Sequence, residues 1–523
     1  MANTTRLTLI RSVGLPLLIL AVAGVAAVPV GPSADFLTIT SPLEGAVFPR
    51  DIVPPLFRWH GGAPGTHWRV SVDLVGEEAS VLAECTNPEW RPSFEQWERI
   101  KLRSLAQPAR LTVSRLSVEG GEKAGASTAT VSFQTSPDPA GAPIFYREVP
   151  LPVSVAMDNK PSIAWKVGDV SSAKPPRTVL TGMRTCANCH SFTPDGKTLA
   201  MDLDFGTDKG AYAIAPIGQE VKIGRTELIT WNDYRREDGQ ETLGFFSAIS
   251  PNGRYVVSTV KETIVLKFLP DPNCSQIFFP IRGILALYDR ETRRFQSLRG
   301  GDDPAFVQTN STFSPDGRTL VFARAKVPED LPRGLAVEGG LSPAIVDDFA
   351  EGRRKIQYDL YRLPFNNGRG GPAEPVIGAS ANGRSNFFPK YSPDGRWIVF
   401  CQADSMMLNR LDSALFIMPA VGGSPRRLKC SVEGRMNSWH SFSPNGRWLV
   451  FASKASGPFT QLWLTHIDEK GNDAPPVMLE GFVAPERAAN IPEFVNLGPG
   501  QLTAIHIAEE IRQSTSTLPT RPK

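Results

Sequence analysis

The chain has 523 residues with 45 glycines and 46 prolines, is 41% hydrophobic and 21% charged, and sets 56 Lys and Arg against 53 Asp and Glu for a net charge of +3. That apolar share excludes a disordered chain, aperiodic Gly and Pro exclude collagen, and balanced charge without a Lys/Arg block argues against a nucleic-acid partner. Six Cys and six His are few for this length, so a close pair among them carries information.

In chain order, residues 1–12 hold Arg6 and Arg11 and no acid. An apolar run from Val13 to Val28 follows, with Ala23, Ala26 and Ala27 where a signal peptidase can cut. Residues 1–28 are therefore expected to be a signal peptide or, because about 18 apolar residues approach the length of a span, an uncleaved N-terminal anchor. Either way the body is periplasmic or otherwise exported. No later run is long and apolar enough to span, so the membrane is expected to be a partner only through that anchor.

Residues 36–136 alternate apolar and polar positions in short runs such as WRVSVDLV (68–75) and TATVSFQT (128–135), with Gly and Pro between them. That pattern predicts an antiparallel sandwich of about one hundred residues. The stretch 86–106 interrupts it and has room for a short helix. The opening SPLEGAVFPRDIVPPLFRW resembles the start of immunoglobulin-like or fibronectin-like modules of exported bacterial proteins, which implies that sandwich. Residues 137–143, rich in Pro and Ala, read as a linker.

The remainder repeats. Five times an apolar or aromatic residue is followed by Ser or Thr, Pro, Asp or Asn, Gly, and Lys or Arg, and then by an apolar run: FTPDGKTLAM (192–201), ISPNGRYVVS (249–258), FSPDGRTLVF (313–322), YSPDGRWIVF (391–400) and FSPNGRWLVF (442–451). Pro fixes φ at the first turn position, Asp-Gly or Asn-Gly completes the turn, and a strand follows. With two more strand-like pieces per unit, this is a propeller blade. A sixth, degenerate unit at 490–507 can close the ring with strands from 144–185, such as PSIAWKV. The fold expected is all-β: a sandwich, then a six-bladed propeller over 144–510 (seven blades being the alternative), and a disordered tail at 511–523. The repeats resemble the TolB-type, WD-like propeller repeat.

One motif carries chemistry. Cys186-Ala187-Asn188-Cys189-His190 is a C-x-x-C-H sequence. Two thiols so spaced can add to the vinyl groups of one haem, and the adjacent His can ligate iron. The motif resembles the attachment site of c-type cytochromes, which implies one covalent haem c per chain. The other readings are a disulfide between Cys186 and Cys189 or half of a zinc site, although no second ligand pair exists for zinc. Aligned on the repeat proline, the position four residues earlier is His190, Ser247, Ser311, Pro389 and His440, so only the first and fifth units place His there. His190 and His440 are thus candidate axial ligands of one iron in the channel mouth. The alternatives are a channel-lining His440 bonded to a backbone carbonyl, a Met ligand among Met201, Met406 and Met407, and an open sixth place. One column earlier stand Cys189, Phe246, Asn310, Phe388 and Trp439, whose aromatics would exclude water from a haem.

Asp202, Asp204 and Asp208 read as a solvated turn before they read as a calcium site. Cys401 and Cys430 are candidates for a disulfide or for buried thiols, while no phosphate loop, nucleophile elbow or H-E-x-x-H motif is present. The function expected is an exported monohaem electron-transfer protein with an envelope redox partner, more a carrier than a catalyst. The alternatives are a propeller that binds an envelope protein or glycan without haem, and a haem enzyme or sensor.

Overall fold

Alternating apolar runs become paired strands throughout the chain. The computed structural model describes residues 36–512 except 63, 77–79, 117–126, 185–186, 206–207, 332–340 and 499. The leader, Cys186 and the tail from 513 onward lie outside the described residues.

Two sheets form the N-terminal unit. Thr38–Ser41, Phe57–His60 and Glu89–Trp90 make one; Ala46–Phe48, Thr128–Thr135, Ala109–Leu116, His67–Asp73 and Val81–Cys85 make the other, in that spatial order. Phe48, Phe57, Trp97 and Phe133 interlock between them. The interruption at 86–106 holds a helix, Phe94–Arg103, started by Ser93, whose hydroxyl accepts from Gln96 N while the Gln96 side chain accepts from Ser93 N. Residues 137–143 form a packed junction rather than a free linker. Ala140 and Ala142 are buried, and the carbonyls of Asp138 and Pro139 accept from Trp448 Nε1 and Asn445 Nδ2. One apolar cluster runs from the sandwich through this junction to Trp448, Val450 and Leu464.

Six four-stranded antiparallel sheets follow. Their innermost strands are Ala187–Phe192, Phe245–Ile249, Phe306–Phe313, Ser385–Tyr391, Asn437–Phe442 and Arg487–Phe494, here the first to sixth blades. The sixth is composite: Arg487–Phe494 pairs with Ile144–Pro150, beyond which lie Ala164–Gly168 and Arg177–Leu180. The C-terminal end of the chain thereby closes the ring. Ala504–Ile507 then adds in parallel to Glu220–Ile223 beside the first blade, and Ile511 is buried, so 511–512 belong to the fold and not to a tail.

The repeated turn explains its own spelling. In each copy the Ser or Thr hydroxyl donates to the Asp or Asn two residues on, as in Ser314 to Asp316 at 2.6 Å, and accepts from the strand that follows, as from Thr319 N at 3.0 Å. Each turn glycine has a left-handed φ and faces the neighbouring blade's turn: Gly317 faces Pro251, Gly395 faces Pro315 and Gly446 faces Pro393. Gly196 of the first turn faces Asn496 of the sixth, where an added Cβ would stand 2.0 Å from the Asn496 carbonyl oxygen. Gly395→Ala is expected to cost about 1 kcal/mol for its φ alone. Gly196→Ala adds a backbone clash and is expected to cost about 2–4 kcal/mol. Urea unfolding of the two variants checks the difference.

The second blade carries an arm. Its second and third strands, Tyr255–Phe268 and Gln276–Asp289, run 14 residues each and continue beyond the sheet as a hairpin. The hairpin lies across its neighbours. Phe279 packs on Phe349 at 5.3 Å, Lys267 pairs with Asp347 at 2.7 Å, and Tyr358 donates to the Pro280 carbonyl. At its tip the carbonyls of Pro272 and Asn273 accept from Lys454, just past the fifth blade's second strand.

Candidate functional site

The six innermost strands converge on one pocket, and each is bulged where it does so. Register slips between Ala187 and His190, Phe245 and Ala248, Thr309 and Thr312, Phe387 and Lys390, Ser438 and His440, and Asn490 and Glu493. Five bulge residues adopt left-handed backbone: Phe246, Asn310, Phe388, Trp439 and Ile491, at φ 56°, 57°, 52°, 39° and 53°. Residues with side chains avoid this region at a cost of about 1–3 kcal/mol each, and here that strain is gathered in one ring. A bulge lets sequence neighbours face the same side. Cys189 with His190, Phe246 with Ser247, Phe388 with Pro389, and Trp439 with His440 therefore all line the pocket.

Of the residues singled out from sequence, Cys189, His190, Phe246, Phe388, Trp439 and His440 meet here, and Cys186 lies outside the described residues. Phe246 and Phe388 pack edge to face at 5.6 Å, and Trp439 lies 6.5 Å from Phe388. Phe278 of the arm packs on Phe245 and Phe246 at 5.3 and 6.3 Å, so the arm backs the aromatic wall. Met201, Met406 and Met407 are buried in apolar clusters and do not line the pocket.

The two histidines differ in what they touch. His440 is engaged: its Nε2 meets the Val399 carbonyl at 3.0 Å, and Nδ1 faces Cys401 Sγ at 3.9 Å. The His190 side chain is wholly buried and packs edge-on against Phe145 at 4.6 Å. Neither of its ring nitrogens has a hydrogen-bond partner of normal length, and Glu493 Oε2 stands 3.9 Å from Nε2. Burial, with Lys390 adding repulsion, pulls the imidazole down from 6.5 to about 3, so His190 is neutral. Burial also holds His440 down at about 3. Cys189 donates its N–H to Asp202 at 3.2 Å, and its thiol is pushed up by burial and then by the Asp202 charge. Burial pushes Asp202 itself up to about 8.

Haem iron asks for a neutral imidazole nitrogen with nothing else to bind, beside a thiol. His190 and Cys189 meet that requirement. His440 is held by Val399, and the pocket, at about 90 Å³, is smaller than the roughly 300 Å³ at which small-molecule sites begin, so it has room for the side chains that meet in it and not for a porphyrin. Among the described residues no group of three or more His, Cys, Asp or Glu is placed to hold a metal ion. Asp204 pairs with Lys209, and Asp208 accepts from Gly210 N, Thr230 and Asn232, so these acids are occupied by the fold. Cys401 and Cys430 are separate buried thiols.

Sequence reading missed the group that sets the aromatic wall. Glu262, at the root of the arm, is buried and accepts from Thr242 Oγ1 at 2.5 Å, from Leu243 N and from Gly244 N at 3.1 Å, fixing the loop that leads into Phe245 and Phe246. Burial pushes its carboxyl up from 4.5 to about 7. Below pH 4.5 the folded and unfolded chains both carry the proton. Between 4.5 and 7 only the folded chain keeps it, and stability falls by about 3 kcal/mol across that window. Glu262→Gln is expected to abolish this loss, raising Tm over the wild type at pH 8 and not at pH 4.5, as read by thermal unfolding at both values.

No family model and no curated relative matches the chain. Among solved structures it is similar to TolB from Acinetobacter baumannii (15% identity, 74% of this chain and 79% of that one, TM-score 0.41). A putative TolB from Agrobacterium tumefaciens also matches (13% identity, 68% and 98%, TM-score 0.34). So does an oligogalacturonate lyase in complex with manganese (16% identity, 59% and 70%, TM-score 0.35). These neighbours are TolB-type and related proteins, and the propeller itself is established by the sheets described above. Among the described residues no helix is long and apolar enough to cross a membrane.

Proposed function

We propose that the chain is an exported propeller protein that carries one haem c on Cys186 and Cys189, with His190 as its axial ligand, and that it transfers electrons to a partner protein of the cell envelope. The observation that carries this is the His190 imidazole, wholly buried with neither ring nitrogen in a hydrogen bond of normal length, lining one pocket with Cys189. Haem, when bound, supplies one-electron redox chemistry. The chain's own part is to present His190 from a bulged strand, to hold it with Phe145, and to shield that side with Phe246, Phe388 and Trp439. With His440 kept by Val399, a bound haem iron would find no second unengaged imidazole among the described residues lining the pocket. The N-terminal sheets, in their order and with the parallel pairing of Ala46–Phe48 to Thr128–Thr135, support the immunoglobulin-like reading of that unit.

A second reading, a protein- or glycan-binding propeller without haem, is favoured by the small volume of the pocket. Haem staining of a denaturing gel, run on protein exported with c-type maturation, separates the two. A stained band at the chain's mass supports the first reading, and an unstained band overturns it. Carbon monoxide binding to the reduced protein reports whether the sixth place is open.

A further inference from the structure

A second cavity, of about 540 Å³, opens at the root of the arm between the second and third blades. It falls within the roughly 300–1,000 Å³ of small-molecule sites. Arg235 and Asp238 come to it from the loop ahead of the second blade, Lys261 and Arg282 from the two strands of the arm, and Ala305 and Phe306 from the start of the third blade. Three cations thus face one carboxylate. That carboxylate is already taken, because Asp238 accepts from Lys261 Nζ at 2.8 Å. Lys261 also donates to the carbonyls of Arg235 and Gln240, at 3.2 and 2.6 Å, so its ammonium is built into the wall. Arg235 donates to Ser297 Oγ at 2.9 Å and Arg282 to the Leu331 carbonyl at 2.9 Å, contacts that anchor both side chains. Arg235 and Lys261 sit in left-handed backbone, at φ 50° and 55°. The chain therefore adopts unfavourable conformations at two of the cations that line the cavity.

We infer that this cavity binds a small polyanion, a compound bearing carboxylates or phosphates, through the guanidinium groups of Arg235 and Arg282 with Lys261 behind them. Guanidinium is the side chain suited to planar, two-point recognition of an oxyanion. Among the described residues that line the cavity the cations outnumber the acids three to one, which favours an anionic ligand over a neutral one. The site shares no residue with the channel pocket, so it stands independently of the haem reading.

Calorimetric titration of the full chain at low salt with citrate, with inorganic phosphate and with glucose tests this. Saturable binding of citrate or phosphate is expected, and glucose is expected to give none; which anion binds distinguishes a carboxylate source from a phosphate source. Arg282→Gln is expected to weaken binding about tenfold or more. Ala305→Asp, at an exposed position on the cavity, is expected to weaken it similarly while leaving the unfolding midpoint of the ligand-free protein unchanged. Absence of saturable binding for both anions, equal binding of glucose, or unchanged affinity in folded Ala305→Asp overturns the proposal.

Discussion

Replacing Cys189 with Ser together with Cys186 is expected to remove every trace of covalent haem, leaving a folded chain that does not stain on a denaturing gel. The reason is chemical: thioether bonds need thiols, and no other thiol lines the channel pocket among the described residues. The fold should tolerate the change at position 189, since Ser is nearly isosteric and keeps both the backbone N–H and a side-chain donor for Asp202. His190→Gly separates ligation from attachment. It is expected to keep the stain, to alter the visible spectrum of the reduced protein, and to recover the original spectrum when imidazole is added. The space vacated is that of a wholly buried imidazole ring, next to a pocket of about 90 Å³. A His190→Gly protein with an unchanged spectrum would remove His190 from the iron.

The second large effect lies where the ring closes. Glu148 is buried and joins two cations, accepting from Lys166 Nζ at 2.7 Å and from Arg487 Nε at 2.6 Å. Arg487 begins the closing strand, Glu148 belongs to the strand it must meet, and Lys166 to the strand beyond that one. Glu148→Ala takes the shared acceptor from two partly buried cations and is expected to cost about 2–3 kcal/mol, below the range for breaking a fully buried pair because both cations keep some contact with water. Glu84→Ala, which removes an exposed pairing with Arg69, is expected to cost less than about 1 kcal/mol. Urea unfolding of the two variants side by side gives the comparison. Equal losses would mean that the closing blade does not depend on this network.

Five of the six blades are legible in the sequence because the turn between their inner two strands has a chemical spelling. It needs a hydroxyl, a side-chain acceptor and a glycine in fixed order, and Ser314, Asp316 and Gly317 supply all three. The sixth blade lacks that spelling and shows in the sequence only as a degenerate unit at 490–507 with strands from 144–185: Phe494 runs into Val495 and Asn496, and its other strands lie more than three hundred residues earlier. The arm is illegible for a different reason. A strand of 14 residues differs from one of six only in length, and apolar residues on both of its faces are read equally well as core. The alignment that put Cys189, His190, Phe246, Phe388, Trp439 and His440 in two columns located the pocket, since equivalent positions in a ring meet at its axis. The alignment could not choose between an iron ligand and the carbonyl-bonded alternative for His440, because its partner is the Val399 backbone carbonyl, which every residue type possesses. The polyanion cavity was invisible because it joins residues from separate segments of two blades and the arm, none of them in a repeat register.

The closing strand also fixes an order of events. Arg487 finds Glu148 across 339 residues of chain, so the ring cannot be sealed until the strand that begins at Arg487 has been delivered. Contacts so distant in sequence are slow to form. A chain stopped before Arg487 lacks the strand that pairs with Ile144–Pro150 and leaves that strand's edge bare, the kind of surface that recruits other strands. Completion of the ring therefore waits on that one strand.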